Sequence, residues 1–368
     1  MEMSLAVTGP DGFLGWHARC AIQAAQGRDA ILIGRPEFDD PEVMDSALAQ
    51  ADAVIHLAGV NRAPDSEIQA INPWLAQQLV DSMERNGRFI PIVNGNSIHS
   101  KGDSVFGVSK RKAAEIFAES AEINGNAFAD VVLPNIFGEH GRPNYNSVVA
   151  TFCHQLANGE TPQIDVDREL TLLHAQDAVA IMIGAAENPS EARLTPAGHQ
   201  ISVTALLKNL KSIQSEYRDG YLPDLADPFT RSLFNTYRSF TFPEHWPIHS
   251  ELHSDDRGEL VEVVRASGGE TQVFYSATRP GFTRGQHFHL RKTERFLVVQ
   301  GQASIRLRKL FTSEVVEFVV SGSQPAIVDM PTLWTHSITN IGDSDLLTLF
   351  YSDDKYDPQD PDTYWIDV

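Results

Sequence analysis

The sequence predicts two domains, an α/β domain built on a parallel sheet followed by an all-β domain. Three observations carry this prediction. The 368 residues exceed one ordinary core and suit two domains. The N-terminal part alternates short apolar strands with amphipathic helices, and its first strand runs into a glycine-rich turn. From residue 251 the pattern is all strand, between Gly, Asp and Asn turns, which indicates a sandwich or closed barrel. The expected domains are residues 1–245 and 246–368.

Composition narrows the function. Apolar residues make up 42 %, enough for two cores, and no apolar run reaches the roughly 18 residues of a membrane span. The N-terminal MEMSLAVTG enters a strand directly and has no basic region, so no signal peptide is expected. Cys20 and Cys153 form no disulfide framework and suit a reducing compartment, so the expected location is cytoplasmic. A formal charge of −20 argues against non-specific nucleic-acid binding. It still allows helix N-termini and a few arginines to hold a nucleotide diphosphate.

LAVT at 5–8 reads as the first strand. Gly9, Gly12 and Gly15 follow, with Phe13 and Leu14 leading into a helix. Glycines so placed permit a tight turn and close approach of backbone to a pyrophosphate. AILIGR, 30–35, reads as the second strand. Dinucleotide-binding strands often end in an acid that holds a ribose diol, but here Gly34 and Arg35 stand instead. A cation suits a 2′-phosphate, so NADPH is expected over NADH; a plain surface arginine is the other reading of Arg35. ADAVIHLAG, 51–59, is a buried strand ending at Leu57, Ala58 and Gly59. A helix through Asn72 follows, then a strand through PIVNGNSIHS, which contains Ser97. The helix 106–120 carries Lys110 one turn after Phe106. Beyond Pro134, a loop rich in Gly, Asn and Pro offers Asn135, Arg142, Asn144 and Tyr145 as substrate contacts. Further helices start near Asp177 and near Ser202 or Thr204. Residues 218–250 read as a linker with a short helix in FTRSLFNTYRSF. Its aromatics either pack one domain on the other or join a dimer surface. The C-terminal tail could add an edge strand, although Pro358 and Pro361 rule out a continuous one.

The stretch Gly281 to Gly301, GFTRGQHFHLRKTERFLVVQG, is the most specific chemical signal. Strand alternation puts His287 and His289 on one face. The turn in HLRKT lets the chain return with Glu294, and His336 in PTLWTHSITN is a fourth candidate. This set suits a divalent transition metal with an open position for water or a ligand. Lys292 lies between the ligands as a candidate for proton handling. Arg279 and Arg284 are candidates for a diphosphate.

The glycine turn, the strand ending in Leu-Ala-Gly and the FGVSK helix resemble the extended branch of the short-chain dehydrogenase/reductase superfamily, a Rossmann-type fold. That resemblance implies catalytic roles for Ser97 and Lys110, with Lys110 also at the cofactor. One departure matters. The family's motif is Tyr-x-x-x-Lys with the tyrosine as proton donor, and the chain has Phe106 there, which cannot exchange a proton. Reduction is then weak, lost, or served by another donor such as water.

Residues 281–301 resemble the first motif of the cupin superfamily at every fixed position and gap, implying a jelly-roll barrel. Pro331, His336 and Asn340 fit the second motif, while Leu333 stands where that family usually has glycine. The combination resembles the bifunctional CapF-like enzymes of capsular polysaccharide and O-antigen synthesis. HLAGVNR at 56–62, PNYNSVVATFC at 143–153, DDRG at 255–258 and the tail at 357–364 carry that likeness. It implies C3 epimerisation of a UDP-2-acetamido-2,6-dideoxy-4-keto-hexose in a zinc-holding cupin domain. It further implies C4 reduction by NADPH in the first domain, and a homodimer. Two other readings stay open, an epimerase with a redox-silent first domain and a non-catalytic nucleotide-sugar sensor.

Overall fold

The computed structural model describes residues 3–189, 193–256, 258–269 and 271–368. Arg257 of the DDRG motif and Glu270, which opens the strand-like ETQVFYSATR, lie outside them. The chain divides into two compact units, residues 1–137 with 169–201, and residues 138–168 with 202–368. This differs from a boundary at 245/246, because segments 138–168 and 202–245 group with the β-rich half.

The first unit opens with β1 (Leu5–Thr8), α1 (Phe13–Gln26), β2 (Ile31–Ile33), α2 (Arg35–Asp39), α3 (Pro41–Gln50) and β3 (Ala53–His56). Then come α4 (Asp65–Asn86), β4 (Ile92–Ser97), a 3₁₀ turn (Ile98–Lys101), α5 (Val105–Asn124), β5 (Phe128–Leu133) and β6 (Asn135–Phe137). After α6 (Val148–Ala157), which belongs to the second unit, it resumes with β7 (Glu169–His174), α7 (Ala175–Glu187), β8 (Arg193–Leu194) and β9 (His199–Ser202). Six strands form one sheet in the order β2-β1-β3-β4-β5-β8, all paired parallel. β6, β7 and β9 form a smaller sheet.

Residues of β1 and β3 are buried throughout, as parallel strands covered on both faces must be. Alternate residues feed opposite cores. Leu5, Val7 and Ile55 pack with Ala18 and Ile22 of α1 and Met182 of α7. Ala6, Val54 and Ile92 pack with Leu79 of α4 and Phe117 of α5. This is a Rossmann-like sheet, and its strands' C-terminal ends carry the glycine turn, the Leu57–Gly59 turn and Ser97.

The second unit adds α8 (Val203–Arg218), α9 (Pro228–Arg238), β10 (Ile248–His249), β11 (Leu252–Asp255), β12 (Gly258–Val261) and β13 (Gln272–Thr278). β14 (Thr283–Phe288), β15 (Glu294–Gln300), β16 (Gln302–Lys309), β17 (Val315–Ser321) and β18 (Ala326–Met330) follow. β19 (Trp334–Asn340), β20 (Leu346–Ser352) and β21 (Tyr364–Trp365) complete it. Two five-stranded sheets have the orders β10-β18-β15-β20-β13 and β17-β16-β19-β14-β21, and β11 and β12 form a hairpin. The pairing is antiparallel. The tail strand β21 adds to the edge at β14.

The segment 218–250 is more than a linker. Its helix α9 begins where Asp227 accepts from the Thr230 N–H at 2.9 Å. Its aromatics pack on the β strands of the same unit, with the Phe242 and Trp334 ring centroids 4.7 Å apart. Just before it, the Tyr217 hydroxyl of α8 donates to Asp329 at 2.8 Å, and Asp329 also pairs with buried Arg295 at 2.7 Å. Removing one partner of such a buried pair costs about 3–5 kcal/mol. Ser202 caps α8, its hydroxyl accepting from the Ala205 N–H at 3.1 Å.

Candidate functional site

The second unit brings His287, His289, Glu294 and His336 together, with one ligand atom from each lying within 4.8 Å of the others. The local backbone explains the convergence. His287 of β14 pairs with His336 of β19, and the register shifts between Gly285 and His287. Gly285 sits at φ +93°, and a Cβ there would lie 2.7 Å from the His336 carbonyl oxygen. Glycine is therefore needed for the close strand approach. The turn after β14 returns the chain at Glu294, the first residue of β15.

The Glu294 carboxylate lies 3.1 Å from His289 Nε2 and 3.5 Å from His336 Nε2. Both of those nitrogens are buried without a hydrogen-bond partner. His289 Nδ1 is 2.5 Å from the Asp362 carbonyl oxygen, so a proton on Nδ1 would leave Nε2 as the ligand atom. Burial opposes ionisation of Glu294, but the surrounding imidazoles hold its carboxyl well below the usual range. Burial pulls His336 down to about 4, which keeps it neutral as a ligand must be. Orphaned imidazole nitrogens facing one carboxylate fit a divalent cation.

The turn between the ligands is braced from two sides. The Asp362 carboxylate accepts from the N–H groups of Leu290, Arg291 and Lys292 at 3.0, 3.0 and 2.7 Å. From α9, Asn235 donates to the Arg291 carbonyl at 2.7 Å, and buried Arg238 donates to Thr293 Oγ1 at 3.2 Å. The Thr293 N–H donates to Asp353 at 2.7 Å. Leu333 takes φ +66°, the left-handed conformation that favours glycine, and its N–H donates to the His289 carbonyl at 2.8 Å. The turn thus keeps a glycine-like geometry despite the bulkier residue.

A cavity of 270 Å³ adjoins this cluster, lined among others by Phe274, His287, Lys292, Glu294 and Tyr356. Lys292 Nζ lies 3.4 Å from Glu294 and donates to Thr363 Oγ1 at 3.2 Å. Arg279 and Arg284 are exposed and outside the lining; Arg284 donates to Thr278 Oγ1 at 2.9 Å. The loop of the same unit stacks Arg142 over Tyr145 at 4.8 Å, and Asn144 takes φ +54°.

In the first unit, Gly9 stands at φ +64°, and a Cβ on Gly15 would lie 2.0 Å from the Gly9 carbonyl oxygen. The turn and the start of α1, with Gly12, Phe13 and Leu14, therefore close on backbone alone. The N–H groups of Leu57 and Ala58 both donate to Thr8 Oγ1 at 2.9 Å. Arg35 opens α2 with its side chain 91 % exposed and 3.4 Å from Asp39. Lys110 is buried, and a Cβ on Gly59 would lie 4.0 Å from its Nζ. Burial pulls Lys110 down to about 8, against the opposing pull of Asp130. Asp130 accepts from buried Asn94 and Asn96 at 2.8 and 2.9 Å. Asn72 bridges Val60 and Ser109. Ser97 Oγ accepts from the His99 N–H at 3.2 Å. Asn135, on β6, donates to the Thr171 carbonyl at 3.3 Å.

Sequence reasoning missed the Asp362, Asn235 and Arg238 braces. Only Asp362 left a trace, within the tail at 357–364.

Comparison with known proteins agrees with this layout. Residues 5–197 match the NAD dependent epimerase/dehydratase family, and residues 253–364 match the polysaccharide biosynthesis C-terminal domain. A curated Pseudomonas aeruginosa protein, UDP-2-acetamido-2,6-beta-L-arabino-hexul-4-ose reductase, is 34 % identical over 98 % of each chain. The crystal structure of the capsular polysaccharide assembling protein CapF from Staphylococcus aureus is similar over 100 % of both chains, with a TM-score of 0.64 and 32 % identity. A probable low-salt glycan biosynthesis epimerase, Agl13 of Haloferax volcanii, is 29 % identical over 30 % of this chain and 79 % of its own. The chain belongs to the NAD dependent epimerase/dehydratase family and carries a polysaccharide biosynthesis C-terminal domain.

Proposed function

We propose that the protein is a bifunctional nucleotide-sugar enzyme for surface polysaccharide synthesis. Its β-rich domain, read as a cupin barrel, epimerises C3 of a UDP-2-acetamido-2,6-dideoxy-4-keto-hexose. Its N-terminal Rossmann-like domain reduces the C4 ketone with NADPH. The observation that carries this is the cluster of His287, His289, Glu294 and His336 beside a 270 Å³ cavity.

Epimerisation next to a ketone removes a proton from carbon and returns it to the other face. The intermediate enolate is anionic, and a bound cation, read as zinc, would supply Lewis-acid stabilisation of that charge. His287, His289, Glu294 and His336 would hold it. Lys292 would handle the proton, a reading supported by its position in the cavity lining. In the other domain the Gly9–Gly15 turn and the N-terminus of α1 would receive the pyrophosphate, and Arg35 the 2′-phosphate. Ser97 and Lys110 would orient the ketone and the ribose. Asn135 in that domain is offered to the sugar nucleotide; in the second unit Arg142, Asn144 and Tyr145 are offered to the sugar nucleotide, and Arg279 and Arg284 to its diphosphate.

β13 lies at the edge of its sheet, with Val273, Phe274 and Tyr275 exposed, which supports the homodimer reading. Among the described residues no helix is long and apolar enough to cross a membrane, and the two cysteines are free, which supports a cytoplasmic location.

Phe106 favours a second reading, an epimerase without reduction. Incubation with NADPH and a UDP-4-keto-6-deoxy-N-acetylhexosamine in heavy water separates the two. The proposal expects both loss of NADPH absorbance and deuterium at C3. Deuterium entry alone leaves the epimerase. Neither signal, with tight ligand binding, leaves a sensor.

A further inference from the structure

Reduction of a ketone needs a proton at oxygen as well as a hydride at carbon, and Phe106 has no proton to give. A donor for this proton belongs to the reductive half of the proposed function and rests on it. Three features of the first unit point to the group that supplies it. The 3₁₀ turn that follows β4 begins right after Ser97, at the C-terminal end of the parallel sheet, where such sheets bind ligands. This turn lies directly against the first turn of α5. A Cβ on Gly107 would be 2.1 Å from the His99 carbonyl oxygen, so only glycine allows that approach. The His99 ring therefore stands beside Phe106, edge-on, with centroids 6.5 Å apart, and its side is open to solvent.

The neighbouring titratable groups serve less well. His56 is buried, with Nδ1 3.0 Å from Thr8 Oγ1, and burial holds it well below the usual imidazole range. Lys110 is buried one turn further along α5, beside Asp130 and His56.

We propose that His99 is a catalytic residue, the proton donor for carbonyl reduction in place of the hydroxyl that Phe106 lacks. The carbonyl carbon gains the hydride from NADPH, which leaves as NADP⁺. The C=O π pair moves to oxygen and takes the proton from the His99 imidazolium. The alcohol forms, and the neutral imidazole recovers a proton from water, to which it is exposed.

The test uses the full-length protein as wild type, His99→Gln, Phe106→Tyr and the double variant. NADPH binding is followed by fluorescence, and NADPH oxidation is followed with the UDP-4-keto sugar. His99→Gln is expected to bind NADPH normally and to lose at least about 100-fold in oxidation rate. The double variant is expected to recover most of that loss, because a phenol at position 106 supplies the proton again. A structural role for His99 would not be rescued in this way. His99→Gln oxidising NADPH at the wild-type rate overturns the assignment, as does a double variant that binds NADPH but stays slow. Wild-type protein that binds NADPH yet oxidises none at any pH overturns it together with the reductive reading.

Discussion

The two candidate sites are built to different standards of redundancy. In the β-rich unit, four ligand groups converge, and the turn that carries them is held by Asp362, Asp353, Asn235 and Arg238. In the Rossmann-like unit, the backbone cradle is complete, but the position one turn before Lys110 is Phe106. The contrast teaches that a site's scaffold and its chemistry are separate properties. Glycines and buried asparagines preserve a fold whether or not a proton can be transferred. A metal site has no such slack, because each ligand atom is both scaffold and chemistry.

The largest expected effect is at the cluster. Glu294→Gln removes the only anionic ligand and leaves the imidazoles facing an amide. Metal bound at the site, measured by elemental analysis of folded protein, should be lost, and C3 deuterium entry with it. Retained stoichiometric metal would break the comparison.

Next is the glycine cradle. Gly15→Ala puts a methyl group 2.0 Å from the Gly9 carbonyl oxygen, so the backbone must shift. NADPH affinity should fall by about 100-fold or more, as expected when ~3 kcal/mol of charged hydrogen bonding is displaced. A fluorescence titration with unchanged affinity would show that the turn does not hold the pyrophosphate.

The brace ranks third. Asp362→Ala removes an acceptor for three N–H groups, so the Leu290–Lys292 turn loses its anchor. Metal affinity, read by competition with a chelator, should drop about 10- to 100-fold while the fold persists. Arg35→Ala is expected to weaken NADPH about tenfold and leave NADH unchanged, one charged contact being worth ~1.5 kcal/mol. Equal effects on both cofactors would reduce Arg35 to a surface residue.

The smallest effect concerns Leu333. Its left-handed backbone costs about 1–2 kcal/mol, but its fully buried side chain is worth about 2–5. Leu333→Gly should therefore destabilise the protein by roughly 1–3 kcal/mol in a denaturant titration, although glycine suits the backbone better.

What the sequence made legible follows the range of the interactions. His287, His289 and Glu294 are separated by a few residues, so strand alternation and one turn bring them together. The glycine turn is equally local. The Asp362 brace joins positions about seventy residues apart through backbone N–H groups, which have no residue identity to read. The grouping of 138–168 and 202–245 with the β strands depends on buried side chains such as Tyr217 and Arg238, which look like ordinary residues of a surface helix and of a linker helix. Leu333 seemed to depart from a motif, yet the backbone angle a glycine would take was kept.

The most direct test compares metal-stripped, zinc-reloaded and untreated protein for deuterium entry at C3 of the UDP-4-keto sugar in heavy water. The account predicts exchange in the untreated protein, its loss on stripping and its return on reloading. Exchange at an undiminished rate in protein shown by elemental analysis to hold no metal would contradict it.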